Sequence, residues 1–284
     1  MRLKNKVAIV TGGATGIGEA VSKLFALEGA RVLVAGLPDD PVMEVVQEIN
    51  NRAGETVAAG FRGDLGKKHQ AQQCVKTAVD AFGQVDVLIA NASIMPEFGT
   101  VTEYEDEHFE HIIDDNIRST HNCYVATLPH LEETRGCIVS IGSEAGLDGL
   151  PQNAPYAASK AWIHGYAKAV AGEVAAKGIR VNIVAPGPID TQMTRSEHGA
   201  VPEKMEPMME NANLFGRRGN PAEVAYVCLF LASNESSYVT GAIYNVDGGM
   251  TIASGLPGKD ADKQTATQPE NNLNLQHSHA GYHE

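Results

Sequence analysis

The sequence predicts an α/β protein: a doubly wound, parallel seven-stranded sheet with helices on both faces, folded as a single domain. Three observations predict it. Short apolar runs alternate with helical periods without a break across residues 6–246. The runs are almost continuously hydrophobic, as strands covered on both faces are. A cluster of glycines joins the first run to the first helical period.

The elements follow in order. Residues 6–11 are apolar and β-branched and stop at glycines, giving a first strand. Residues 18–27 carry apolar side chains at helical spacing and end at Gly29. A second strand spans 30–35. Pro41 opens a helix to about residue 51, because proline fits a first turn. A strand at 56–60, a helix at 71–82 closed by Gly83, and a strand at 85–90 come next. One long helix is expected over about 103–131, then a strand at 136–141. A second long helix covers 154–176, and a strand at 180–185 is stopped by Pro186-Gly187. A helix at 221–232 and a strand at 242–246 complete the pattern. Residues 187–220 are too long for an ordinary connection and rich in Met, Pro and charge, so a substrate-covering segment with one or two short helices is expected. Residues 255–284 are polar and predict a flexible tail after a domain at 1–254.

Composition narrows the class. Of 284 residues, 43% are hydrophobic, which suits a globular core and excludes wholesale disorder. Acidic residues outnumber basic ones 35 to 22, and the net charge of -13 argues against nucleic acid or an anionic membrane as a partner. The apolar run 224–232 is too short to span a bilayer, and the short polar start at 1–6 is not expected to act as a secretory leader. Cys74, Cys123, Cys137 and Cys228 form no CxxC pair and read as reduced, mostly buried thiols of a cytoplasmic protein. His277, His279 and His283 have metal-like spacing, but no scaffold holds them, and no metal site is expected.

Two clusters carry chemistry. The first is Thr11-Gly12-Gly13-Ala14-Thr15-Gly16-Ile17-Gly18, between the first strand and the first helix. Glycines there allow a tight turn and close approach of backbone to a diphosphate, and the helix N-terminus offers unpaired N–H groups to an anion. Gly12, Thr15, Gly16, Ile17 and Gly18 are therefore candidate dinucleotide contacts. The second is Tyr156-Ala157-Ala158-Ser159-Lys160, at the head of a long helix. Residues four apart share a face, so the phenol and ammonium point into one site. Ionising a tyrosine at pH 7 costs about 4 kcal/mol. A cation about 4 Å away offsets roughly that much at an effective dielectric of 20. Lys160 thus brings Tyr156 into range as a general acid/base. Ser143 lies thirteen positions before Tyr156, at a strand end.

The Gly12, Gly16, Gly18 spacing, with Ser143 and the YxxxK pair, resembles the TGxxxGxG short-chain dehydrogenase/reductase family over about residues 3–250. The resemblance implies a Rossmann-type fold and hydride transfer between a nicotinamide cofactor and a secondary alcohol or ketone. It implies that Ser143 holds the substrate oxygen, that Lys160 also binds the nicotinamide ribose, and that Asn116 supports a water relay to the lysine. Asp64-Leu65 corresponds to the adenine contact. Asn91 and Ala92 match the Asn-Asn-Ala-Gly motif, while Ala90 and Ser93 depart from it. Loss of the first asparagine puts the tie between strands in doubt. Pro186, Gly187, Ile189 and Thr191 fall on PGxxxT, whose threonine holds the carboxamide, and Asp247-Gly248-Gly249 matches the usual end of the last strand.

The second strand of an NAD-binding member ends in an acid for the ribose hydroxyls, and Gly36 stands there instead. Asp39 and Asp40 lie just beyond; either could reach the ribose and both would repel a 2′-phosphate, so NAD is favoured over NADP, with Asp39 as the first candidate contact. Expected substrate contacts are Ser93, Met95, Leu147, Asn153 and Met193, with Ser143 and Tyr156. They name no molecule beyond a small alcohol or ketone. The resemblance also implies a homo-oligomer, tetramer or dimer. The alternative is a catalytically silent dinucleotide-sensing protein on the same fold. The wider Tyr–Lys spacing of enoyl reductases and the TGxxGxxG loop of sugar epimerases are not found.

Overall fold

The computed structural model describes residues 1–96, 98–196, 201–253, 273–275 and 277. Seven strands form one parallel sheet: β1 (Val7–Thr11), β2 (Arg31–Gly36), β3 (Ala58–Arg62), β4 (Val87–Ala90), β5 (Cys137–Ile141), β6 (Arg180–Pro186) and β7 (Ile243–Val246). Their order is β3-β2-β1-β4-β5-β6-β7. The winding direction reverses between β1 and β4, so a crevice opens where their C-terminal ends part.

The side-chain period of two sorts each strand into two faces. Val10 and Val34, paired across β1 and β2, pack with α1 (Gly16–Leu27), α2 (Val42–Ala53) and α9 (Pro221–Ala232). Their neighbours Ile9 and Leu33 pack on the other face with α3 (Lys68–Phe82), α5 (Ser119–Thr134) and α7 (Ala154–Val174). All four cysteines are free and buried. Among the described residues no helix is long and apolar enough to cross a membrane.

Four local differences from expectation have physical causes. The third strand starts at Ala58 instead of Thr56, because the Asn50 side chain binds the backbone N–H groups of Val57 and Ala58, both at 2.8 Å. Pro41 caps α2 from outside, with ψ at 47°. The single helix expected over 103–131 is α4 (Asp106–Ile112), a π-turn at Ile113–Arg118, and α5. Ser119 and Thr120 hydroxyls donate back to the carbonyls of Asp115 and Asn116, and such back-bonding accompanies a slipped helical ladder. A short α6 (Ala145–Asp148) follows β5 and was not expected.

In the segment 187–220, 3-10 turns at Gln192–Thr194 and Glu203–Met205 precede α8 (Glu206–Asn211), and 197–200 lie outside the described residues. The described residues of the C-terminal segment, 273–275 and 277, lie against the core. Leu273 is buried in the core cluster of α1, α2 and α9, with Leu275 packed beside it. The His277 N–H donates to Glu19, and its ring nitrogen lies 3.1 Å from Glu48. Glu19, Glu48 and His277 lie close enough together to hold a cation, and a cation is there: Lys23 Nζ is 2.7 Å from Glu19 and 2.6 Å from Glu48. His279 and His283 lie outside the described residues.

Candidate active site

The cleft forms where the turn after β1 meets the ends of β4, β5 and β6. Gly12 and Gly16 take positive φ, 56° and 51°. A Cβ on Gly18 would lie 1.8 Å from the Gly12 carbonyl oxygen, so any side chain there would push the turn open. Thr15 caps α1 without a side-chain hydrogen bond, which leaves the first N–H groups of the helix to an anion. A glycine cradle ending on a bare helix N-terminus fits a dinucleotide diphosphate.

Thr11, missed in the sequence, closes the gap left by Ala90. Its hydroxyl accepts from the N–H groups of Asn91 and Ala92 at 2.9 and 3.0 Å, while the Asn91 amide donates to the carbonyls of Thr11 and Gly12. The first and fourth strands are therefore tied without the family's first asparagine.

Tyr156 and Lys160 are both buried, in the first turns of α7, with Lys160 Nζ 5.6 Å from the phenol ring centroid. Lys160 donates to Ser93 Oγ at 3.1 Å and to the Ile141 carbonyl at 3.2 Å. Burial lowers its pKa to about 8, and Glu144 partly opposes the shift. Asn116 sits in the π-turn, fully buried. Its amide donates to the Ile94 carbonyl and Ser159 Oγ, both at 3.0 Å, and accepts from the Ile94 N–H at 2.8 Å. Asn116 thus fixes the backbone beside Ser93, which in turn meets Lys160. His164, one turn beyond Lys160, is buried and held neutral, its pKa lowered to about 4 chiefly by burial. Its ring explains two glycines: a Cβ on Gly142 would lie 2.2 Å from its Nε2, and one on Gly146 2.9 Å from its Cε1.

Most expected residues converge on this cleft. Gly12, Thr15, Gly16, Ile17, Asn91, Ala92, Ser93, Ser143, Tyr156, Lys160, Pro186, Gly187, Ile189, Thr191 and Met193 line it. Gln192 lines it too, and so does Thr194, which was not foreseen. Met95 packs behind Tyr156 with Ile112 and Ala145. Asp64 and Leu65 do not line the cleft; the Asp64 carboxylate accepts from the Gly66 N–H and pairs with Lys67.

Three expected residues sit apart from the cleft lining. Asn153 is fully buried and spent on structure: it accepts from the Tyr104 hydroxyl at 3.0 Å and donates to the Pro96 carbonyl at 3.2 Å. Leu147 is 42% exposed and lies outside the cleft lining. Asp39 is exposed, whereas Asp40 turns back on the strand end. Its Oδ2 accepts from the Leu37 N–H at 2.7 Å and lies 2.7 Å from where a Cβ on Gly36 would be. The glycine therefore makes room for a carboxylate supplied from four residues later.

A family model described as enoyl-(acyl carrier protein) reductase matches residues 12–251. A 3-oxoacyl-[acyl-carrier-protein] reductase of Chlamydia muridarum is 39% identical over 249 residues, covering 87% of this chain and 98% of the relative. A 3alpha-hydroxysteroid dehydrogenase of Mediterraneibacter gnavus is 37% identical over 250 residues, with 87% and 98% covered. The crystal structure of 3-ketoacyl-(acyl-carrier-protein) reductase from Brucella melitensis complexed with NADH superposes with a TM-score of 0.81 at 29% identity, covering 88% of this chain and 100% of that one.

Proposed function

Because this chain belongs to the short-chain dehydrogenase/reductase family, we propose that it interconverts a secondary alcohol and its ketone with Tyr156 as general acid/base. A nicotinamide, when bound, would supply or accept the hydride. Tyr156 gives the proton to the substrate oxygen in reduction and takes it in oxidation. Ser143 shares that oxygen and steadies its charge. Lys160 favours the phenolate electrostatically and would hold the nicotinamide ribose, and Asn116 fixes the loop that carries Ser93. The observation that carries this reading is the burial of Lys160 beside Tyr156, on mostly neutral partners. The relatives' names, 3-oxoacyl reductase and 3alpha-hydroxysteroid dehydrogenase, differ in skeleton and share an oxygen at a secondary carbon. A silent sensor is not favoured, since all four catalytic candidates are buried and two of them, Lys160 and Asn116, are held on the adjacent residues Ser93 and Ile94. The family also supports a homo-oligomer. Tyr156→Phe is expected to lower kcat by about 10²–10⁴-fold while NADH still quenches protein fluorescence. Near-normal turnover would overturn the assignment.

NAD is the favoured cofactor, and Asp40 takes over the role first given to Asp39. Its carboxylate beside Gly36 supports a bond to the ribose hydroxyls and opposes a 2′-phosphate. Asp40→Asn is expected to weaken NADH binding by about tenfold and to narrow the gap to NADPH. Fluorescence titration of both cofactors checks this. An effect at Asp39→Asn in its place would return the role to that residue.

A further inference from the structure

Ser143 has a neighbour that the reaction described above does not use. Its hydroxyl accepts from the Ala145 N–H at 3.1 Å and donates to the carboxylate of Glu144. A hydroxyl has one proton and two lone pairs. With the proton on Glu144 and one lone pair on Ala145, Ser143 presents only a lone pair to the cleft. An alcohol can donate to that lone pair. A ketone oxygen, which only accepts, finds no donor there. If the carboxyl of Glu144 carries a proton, the bond reverses. The Glu144 O–H then donates to Ser143, and the serine proton turns to the cleft, where it meets a ketone oxygen.

We propose that Glu144 is a positioning residue that sets the hydrogen-bond polarity of Ser143, favouring the alcohol when it is ionised and the ketone when it is protonated. The inference rests on the alcohol/ketone reading of the site. No covalent step is added, and the proton on Glu144 is neither transferred to product nor consumed.

The groups around Glu144 act on its ionisation in both directions, with removal from water the largest influence. Removal from water raises its pKa above the usual carboxylate value, and the Asp247 carboxylate beyond β7 adds to this. The Ser143 hydroxyl and the Ala145 N–H act the other way. From α7, the Lys160 ammonium attracts it, while His164 is neutral. The Glu144 N–H, bonded to the Pro186 carbonyl at 3.0 Å, fixes the backbone that carries the carboxyl.

The test compares matched pairs, cyclohexanol with cyclohexanone and 1-phenylethanol with acetophenone, across pH with NAD and NADH. In the wild-type enzyme the ketone KM is expected to rise with pH and the alcohol KM to fall, by roughly three- to tenfold, about one shared midpoint. In Glu144→Gln, which keeps the shape and cannot ionise, both limbs should flatten while kcat changes less than KM. Glu144→Leu should flatten them as well, with its folding checked by thermal melt. Limbs that persist in Glu144→Gln, or ketone and alcohol limbs that run in the same direction, would overturn the inference and leave the reading of the site standing. No turnover of any pair by the wild-type enzyme would overturn both.

Discussion

Two lysines lie inside this molecule, equally out of water and differently accompanied. Lys23 is 6% exposed and Lys160 2%. Lys23, on the third turn of α1, meets the carboxylates of Glu19 and Glu48 and the carbonyl of Asn274. Lys160 meets a serine hydroxyl and a carbonyl, with the Glu144 carboxylate acting on it electrostatically. The first ammonium is an ion-paired strut between two helices and the tail. The second has been removed from water with little compensation, and its pKa falls to about 8. A buried charge with full partners stabilises its surroundings; one with few partners is left able to act on a neighbour, here the Tyr156 phenol.

Substituting each lysine would sharpen the contrast. Lys160→Met is expected to cost about 10²–10⁴-fold in kcat, as loss of the acid/base system does, with the melting temperature unchanged or raised because an under-compensated charge has gone. Lys23→Met is expected to do the reverse. It takes the ammonium away from the fully buried Glu19, at about 3–5 kcal/mol, and lowers the melting temperature by about 10 °C, while the surviving folded enzyme keeps its turnover. If Lys23→Met lost activity without losing stability, the distinction would fail.

The smallest effect concerns pH. The folded value of Lys160 lies below the ordinary 10.5, so its charge costs stability below pH 8, and that cost is relieved as pH climbs from 8 to 10.5. Activity moves the other way, because the ammonium that favours the phenolate is lost as pH rises through about 8. Ser93→Ala removes an acceptor from that ammonium and should move the alkaline limb of kcat/KM down by about half to one pH unit. An unmoved limb would mean that Ser93 does not support Lys160.

The same contrast shows what the sequence could reveal. Gly12, Gly16 and Gly18, and the Tyr156–Lys160 pair, were legible because their chemistry is local: a tight turn and one helix face each lie within eight residues or fewer. The strands were legible because burial on both faces leaves an unbroken apolar run. Glu144 was passed over because a carboxylate beside a serine acquires meaning only when both are folded against Lys160 and Asp247. Asp39 was preferred to Asp40 because nothing in Pro38-Asp39-Asp40-Pro41 says which acid the turn directs at Gly36. Asn153 looked like a substrate contact from its place before α7, and only its bonds to Tyr104 and Pro96 reveal a brace. Leu273 reads as part of a solvated tail because the cluster it joins is built from α1, α2 and α9, none of which adjoins it in the chain.

The π-turn at Ile113–Arg118 makes the length of the chain a requirement, separate from its composition. A helix turns about 100° per residue. Deleting one residue from this stretch could restore a regular ladder, yet it would swing either α4 or α5 by about that angle relative to the sheet. Asn116 would then leave Ile94, or the apolar face of α5 would leave Ile138 and Leu88. Along most of the surface, natural variation can add or remove single residues in loops. Here a one-residue indel is as damaging as losing the asparagine itself, and related sequences that share this site should keep the count between Asn91 and Asn116 to α5 more strictly in the helix than in the loop before it.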